Sequence, residues 1–239
     1  MEYMDVFLAA LIIFVGSFVQ SAIGFGLAIV AAPFLFLLSP DYVPAPITLV
    51  ALVLSIANAY RYRGSISLQG LGAAILGRIP GTVAGGALLL WVDTRSLSLF
   101  LGLSVLLAVA VSLLPIRIAP TTPRMLMAGF LSGFMGTSTA IGGPPLALLL
   151  QHEQANLIRA NLSAFFIVSC LLSLLVQGYT GHMSWHHFTL TLPLIPAMLL
   201  GYWLAARYAA GIANHHIRWA SLCICSLSGV GAIALYWRG

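Results

Sequence analysis

One arginine and two glycine-rich breaks carry the chemistry that this sequence could do. Arg78 stands in "AAILGRIPGTVAGG", about ten residues inside an apolar run from either end. At bilayer depth an arginine costs about 2.5–3.5 kcal/mol on insertion scales, and ionisable residues so placed usually face a pathway. No acidic residue lies in any apolar run to neutralise it. A transient anion is therefore an attractive partner, the alternative being a side chain that snorkels to the interface. The breaks are "QSAIGFG" (20–26) and "TSTAIGGPP" (137–145). Glycine lets a ligand approach the backbone closely, and proline suits a first helical position, where a missing N–H costs nothing. Such breaks mark the start of a second half-helix, with unpaired N–H groups and the positive end of a dipole. That is anion chemistry. The candidate contacts are Gln20, Ser21, Gly24 and Gly26 at the first break, and Thr137, Ser138, Thr139, Gly142 and Gly143 at the second. Asn161 and Ser163 are further candidates, as polar residues inside a later run. For Asn161 and Ser163, as for Asn58 and Gln177, interhelical hydrogen bonding is the competing reading.

Other chemistry finds less support. His152, His182, His186, His187, His215 and His216 all sit at the edges of apolar runs. His182 and His186 have helical i, i+4 spacing, but no Cys, Glu or Asp near them in sequence completes a metal site, so they read as interfacial. Cys170, Cys223 and Cys225 lie in apolar runs and read as packing thiols. No histidine lies at depth to act as base for the hydroxyls of "GTSTAIGG". No enzyme activity, cofactor or metal is expected.

The surroundings of these residues are a membrane. Hydrophobic residues are 61% of the 239 and charged residues 6%, against roughly 25% charged in a soluble domain. Apolar runs such as 43–60 and 97–114 recur along the chain, and about 20 such residues cross a hydrocarbon core of about 30 Å. Apart from Arg78, the ten Lys and Arg then read as topology signals in short loops rather than as a nucleic-acid surface. The acidic opening "MEYMD" does not resemble a cleavable signal peptide.

The two halves resemble each other. A shift of 118 pairs "SAIGFG" (21–26) with "TAIGGP" (139–144), 117 pairs "GSIS" (64–67) with "GHMS" (181–184), and 116 pairs Pro80 with Pro196. Residues 1–118 and 119–239 are thus expected to be two repeats within one membrane domain. Each repeat reads as a broken segment (5–38; 125–152) followed by three spans, at 43–60, 68–92 and 97–114, then at 156–177, 186–207 and 216–237.

Charge tests whether the broken segments cross. If all eight segments cross, five arginines (61, 63, 117, 124, 238) face four (95, 159, 207, 218). If each broken segment dips in and returns, seven (61, 63, 117, 124, 159, 207, 218) face two (95, 238), with Glu2, Asp5, Asp41 and Asp93 on the poorer side. The second split is the bias of a cytoplasmic face. Length agrees: residues 5–38 would make a helix of about 51 Å, too long for one crossing and too short for two. The expected fold is all-α and polytopic: two inverted repeats, each a re-entrant helical hairpin plus three transmembrane helices. The hairpins enter from opposite faces, and their tips hold an anion near the midplane.

The paired segments "FVGSFVQSAIGFGLAIVAAPFL" and "FLSGFMGTSTAIGGPPLALLL" resemble the TauE/SafE family of bacterial permeases. "YRYRGSIS", "GYTGHMSW" and "RANLSAFF" add to the resemblance, which covers nearly the whole chain. The resemblance implies a multi-pass carrier or exporter in the bacterial inner membrane for small anions, sulfite and organosulfur anions being the usual suggestions. A passive anion channel and a carrier for other small carboxylates are the alternatives. The expected partners are the anion and the lipid bilayer, with a homodimer as an open option.

Overall fold

The computed structural model describes residues 3–67, 70–113, 118–208, 222–223, 225–227, 229–234 and 237. Arg117, Arg218, Arg238, Glu2, His215, His216 and ten of the 22 positions of the expected last span lie outside these. The described residues form helices and connecting turns, with no strand. They are α1 (Tyr3–Ile23), α2 (Leu27–Leu38), α3 (Ala45–Arg61), α4 (Leu71–Trp91), α5 (Thr94–Leu113), α6 (Thr122–Thr139), α7 (Pro144–Leu150), α8 (Ala155–Tyr179), α9 (Trp185–Thr191) and α10 (Leu194–Tyr208).

Among the described residues, five helical stretches are long and apolar enough to cross a membrane: α1, α4, α5, α8 and the stretch Pro40–Arg61. The pair α9 and α10 makes a sixth if counted as one span, bent by 43°. The sequence reads one continuous span there; the break falls at Leu192 and Pro193, where the ring can neither donate an N–H nor tolerate the preceding turn. In α4, by contrast, Pro80 is accommodated without a break. Local signals set several ends. Asp93 caps α5, its carboxylate accepting from Ser96 N at 3.1 Å, and Ser184 with His187 closes a capping box on α9.

Both expected breaks are helical hairpins. α2, with 12 residues, and α7, with 7, reach only about 18 and 10 Å at 1.5 Å per residue, too short to cross. The chain turns back at each break. A Cβ placed on Gly16 would lie 3.0 Å from Leu27 O, eleven residues on, which a continuous helix would hold far apart. Ser132 Oγ likewise donates to Gly142 O across the second turn. Gly24 and Gly26 supply positive φ angles of 98° and 120° at the first turn. At the second, Ala140 takes the left-handed conformation at φ 64°.

Packing pairs the helices across the two halves. α4 lies along α6 over most of its length, α1 lies along α10, and α3 packs on α8. Glycines allow the first of these contacts. At Gly77 and Gly81 a Cβ would collide with the backbone of Leu126 and Phe130, and at Gly129 with that of Ala74. A small-residue stripe of this kind lets backbones touch where lipid offers no hydrophobic drive to associate. Gly85 and Gly133 do the same, so that Gly81, Gly85, Gly129 and Gly133 all back onto the partner helix.

Polar side chains hold the ends of the bundle. Arg61 donates to Ala206 O at 2.8 Å and joins the end of α3 to that of α10. At the opposite end His186 Nε2 meets Asp41 Oδ2 at 3.5 Å. The sequence reading gives the histidines no acidic neighbour, and tertiary packing supplies one 145 residues away. His182 precedes α9 rather than sharing its face with His186. No group of three metal-ligating side chains forms among the described residues.

Candidate functional site

The site is built where the two hairpin turns meet α4 and α8. Arg78 lies midway along α4 and is only 3% exposed, so it does not snorkel. Its Nη1 donates to Ser132 Oγ of α6 at 2.7 Å. Nη2 donates to Ser173 Oγ at 3.0 Å and to Ser169 O at 3.3 Å, both on α8. The Phe165 ring lies 5.5 Å from the guanidinium carbon, within cation–π range. The arrangement draws the second turn in as well. Ser132 Oγ in turn donates a hydrogen bond to Gly142 O, and Ser173 Oγ pairs with Thr137 Oγ1 at 2.9 Å. Glycines make room for the charge: a Cβ on Gly136 would lie 2.9 Å from Nη2, and one on Gly142 3.1 Å from Nη1.

Every partner of this guanidinium is neutral. Three hydrogen bonds reach it, whereas a guanidinium offers five donors, and Nε, although buried, has no partner. The one ion pair among the described residues is the distant His186–Asp41 contact. A full positive charge is therefore held in the interior by hydroxyls, a carbonyl and an aromatic ring, with no anionic partner.

A cavity of about 40 Å³ opens beside it. Gln20 of α1, Gly26 of the first turn, Gly136 of α6, and Gly142 and Gly143 of the second turn contribute to its wall, with Thr48 and Ala51 of α3. Phe166, Ser169, Cys170 and Ser173 of α8 complete it with Arg78. The turns abut here, a Cβ on Gly143 lying 3.2 Å from the Cβ of Phe25. A second cavity of about 370 Å³ lies between the first turn, α5, α7 and the start of α8. It is mainly apolar, with Arg159, Gln151 and His152 among its polar lining, and it shares Gly26 and Ile29 with the smaller one.

Of the twelve candidate residues, Arg78, Gln20, Gly26, Gly142 and Gly143 come together on the small cavity. The other seven do not line it. Ser138 and Thr139 lie in the last turn of α6, which runs on through the hydroxyl triplet, and they donate to Phe134 O and Met135 O of their own helix at 2.7 and 2.8 Å. Such back-bonding is how hydroxyls survive inside an apolar helix. Thr137 is one step removed, through Ser173. Ser21 Oγ accepts from Asn58 Nδ2 at 3.2 Å. Gly24 packs on Arg159 and Leu162. Asn161 Oδ1 accepts from Ser67 N at 2.8 Å, and Ser163 donates to Arg159 O at 2.6 Å. Gln177 donates to Thr137 O at 2.9 Å, an interhelical bond of the kind expected.

The half-helix N-termini also offer fewer donors than expected. Leu27 N, which opens α2, donates to Gln20 Oε1 at 3.3 Å. Pro144 and Pro145 open α7 and have no N–H to offer. The charge of Arg78 is thus the dominant attraction for an anion here. The residues that sequence reasoning misses are Ser132, Ser169 and Ser173. One signal was available: Ser169 and Ser173 are four apart in an apolar span and so share a helix face.

The profile of the TauE/SafE sulfite exporter family matches residues 8–232. The chain belongs to this family. Comparison with curated proteins and with solved structures gives no match. TauE/SafE proteins are membrane transporters rather than enzymes, in keeping with the apolar helices described above.

Proposed function

We propose that this chain is an inner-membrane exporter of a small anion, sulfite or an organosulfonate, held near the midplane by Arg78 between the two hairpin turns. The observation that carries this reading is the buried guanidinium of Arg78, a lining residue of the cavity the turns share, which has no carboxylate partner and leaves its Nε unpaired. A cation at this depth is costly unless a negative charge joins it, and the family supplies an anion as cargo. Gln20 and the backbone at Gly26, Gly142 and Gly143 border the same space and position the oxyanion.

Residues 1–118 and 119–239 act in this reading as inverted repeats whose hairpins re-enter from opposite faces. The exchange of partners supports it. α4 of the first half lies on the first helix of the second hairpin, as α10 of the second half lies on the first helix of the first. Asp41 and His186 gather at one end of the bundle, and Arg61 and Ala206 at the other, as the arginine-rich inside face requires. The larger cavity, with Arg159 in its wall, is the approach to the site from that face.

Purified protein in liposomes tests the proposal directly. Wild type should move sulfite or a short organosulfonate across the bilayer, and Arg78→Ala should not, while still purifying as a folded chain. Accumulation against a gradient distinguishes a carrier from a passive channel. Equal anion binding by wild type and Arg78→Ala in calorimetry would sink the assignment of the site.

A further inference from the structure

The cavity at Arg78 holds one positive charge and no second. The elements packed against α4 bring Arg124 at the start of α6 and Arg159 at the start of α8. Both guanidinium groups are engaged by backbone carbonyls, of Ala119 and Ala22 respectively. α8 also carries Tyr179, which is exposed, and Cys170, the one other titratable group in the cavity wall. The hairpin turns contribute no charged side chain. At the position 116 residues beyond Arg78, where Pro196 answers Pro80, stands a fully buried leucine, Leu194. Arg78 and Ser169 both line the cavity, and each keeps one buried polar atom without a partner, Nε and Oγ respectively. The space is about 40 Å³, and by the same measure one water needs roughly 10–15 Å³. It admits a compact group of a few heavy atoms.

We infer that the site selects compact, singly charged oxyanions and rejects doubly charged ones, the dianionic form of the same acid included. This rests on the reading that Arg78 binds the transported anion. One guanidinium neutralises one negative charge; a dianion leaves a net charge in the low-dielectric interior, where isolated charge is strongly disfavoured.

Three probes separate the outcomes, with binding to the purified full chain measured by calorimetry at mildly acid and mildly alkaline pH. Methanesulfonate is singly charged at both, sulfate doubly charged at both, and sulfite passes from the monoanion to the dianion around neutrality. Methanesulfonate should bind alike at the two pH values, and sulfate about a hundredfold more weakly, the order set by one unneutralised charge at depth. Sulfite should weaken as pH rises, relative to methanesulfonate; that ratio removes any titration of the wall, Cys170 included. Sulfate binding as tightly as methanesulfonate, or sulfite tightening at alkaline pH, would overturn the inference. If that dianion binding vanishes in Arg78→Ala, only the charge selection falls. If no probe binds wild type, or binding survives in Arg78→Ala, the function proposed above falls with it.

Discussion

Replacing Arg78 by methionine removes the buried charge and keeps most of the side-chain length. The effect on stability can be worked from the contacts. An arginine at this depth costs about 2.5–3.5 kcal/mol on insertion scales. Three hydrogen bonds hold it, and polar contacts between membrane helices average about 0.6 kcal/mol each, together returning about 2 kcal/mol. The Phe165 contact at 5.5 Å adds about 0.5–1 kcal/mol. Cost and return agree to within about 1 kcal/mol. The substitution also strands little: Ser132 keeps Gly142 O and Ser173 keeps Thr137. Arg78→Met should therefore unfold within about 1 kcal/mol of wild type in denaturant titrations in mixed micelles without anion. Added anion should stabilise wild type and leave the variant unchanged, because a ligand stabilises only the state that binds it. A loss of about 3–5 kcal/mol in the absence of anion, the penalty for breaking a structural buried pair, would refute this reasoning. Arg78 would then be a structural tie between α4, α6 and α8.

Further substitutions probe the frame. Gly142→Val should abolish transport in liposomes while the chain stays folded, since its Cβ would lie 2.8 Å from Ser132 O and crowd Nη1; normal transport would leave this glycine a packing residue only. Gly81→Ala should destabilise by at least the 1–3 kcal/mol typical of overpacking, because the added methyl meets the Phe130 backbone rather than a movable side chain; unchanged denaturation would contradict the close crossing of α4 and α6. Cysteines at positions 41 and 93 should react with an impermeant thiol reagent from outside and those at 64 and 156 from inside, and the reverse pattern for any one of them breaks the proposed topology.

The sequence made the helical frame legible because its signals are strong and local. Apolar runs of crossing length became α3, α4, α5 and α8 with ends shifted by a few residues. The two glycine-rich breaks became turns for the reasons their composition suggested. Within the second break the hydroxyls were harder to read. "TST" looked like a helix breaker, yet α6 runs through it, since each hydroxyl bonds back to its own helix or to a neighbour. Side chains that satisfy themselves locally look the same in sequence as side chains free to bind. The partners of Arg78 were not legible because they are long-range: Ser132, Ser169 and Ser173 lie 54 to 95 residues away. The same holds for His186 and Asp41.

Close packing and the placement of the charge are one feature. A Cβ at Gly133 would stand 2.5 Å from the carbonyl oxygen of Arg78, and one at Gly136 2.9 Å from its guanidinium. The stripe that lets α4 and α6 touch is therefore also what brings the charge to the second turn. Widening the crossing by even a methyl group would withdraw Nη1 from Ser132, and Ser132 is the link to Gly142. The close crossing of α4 and α6 and the placement of the buried Arg78 then stand or fall together. A glycine stripe alone would mark packing, and an arginine alone could have reached for the interface. Their coincidence on one helix face, opposite a turn that leaves space for a ligand, is what distinguishes a binding site from ordinary membrane packing.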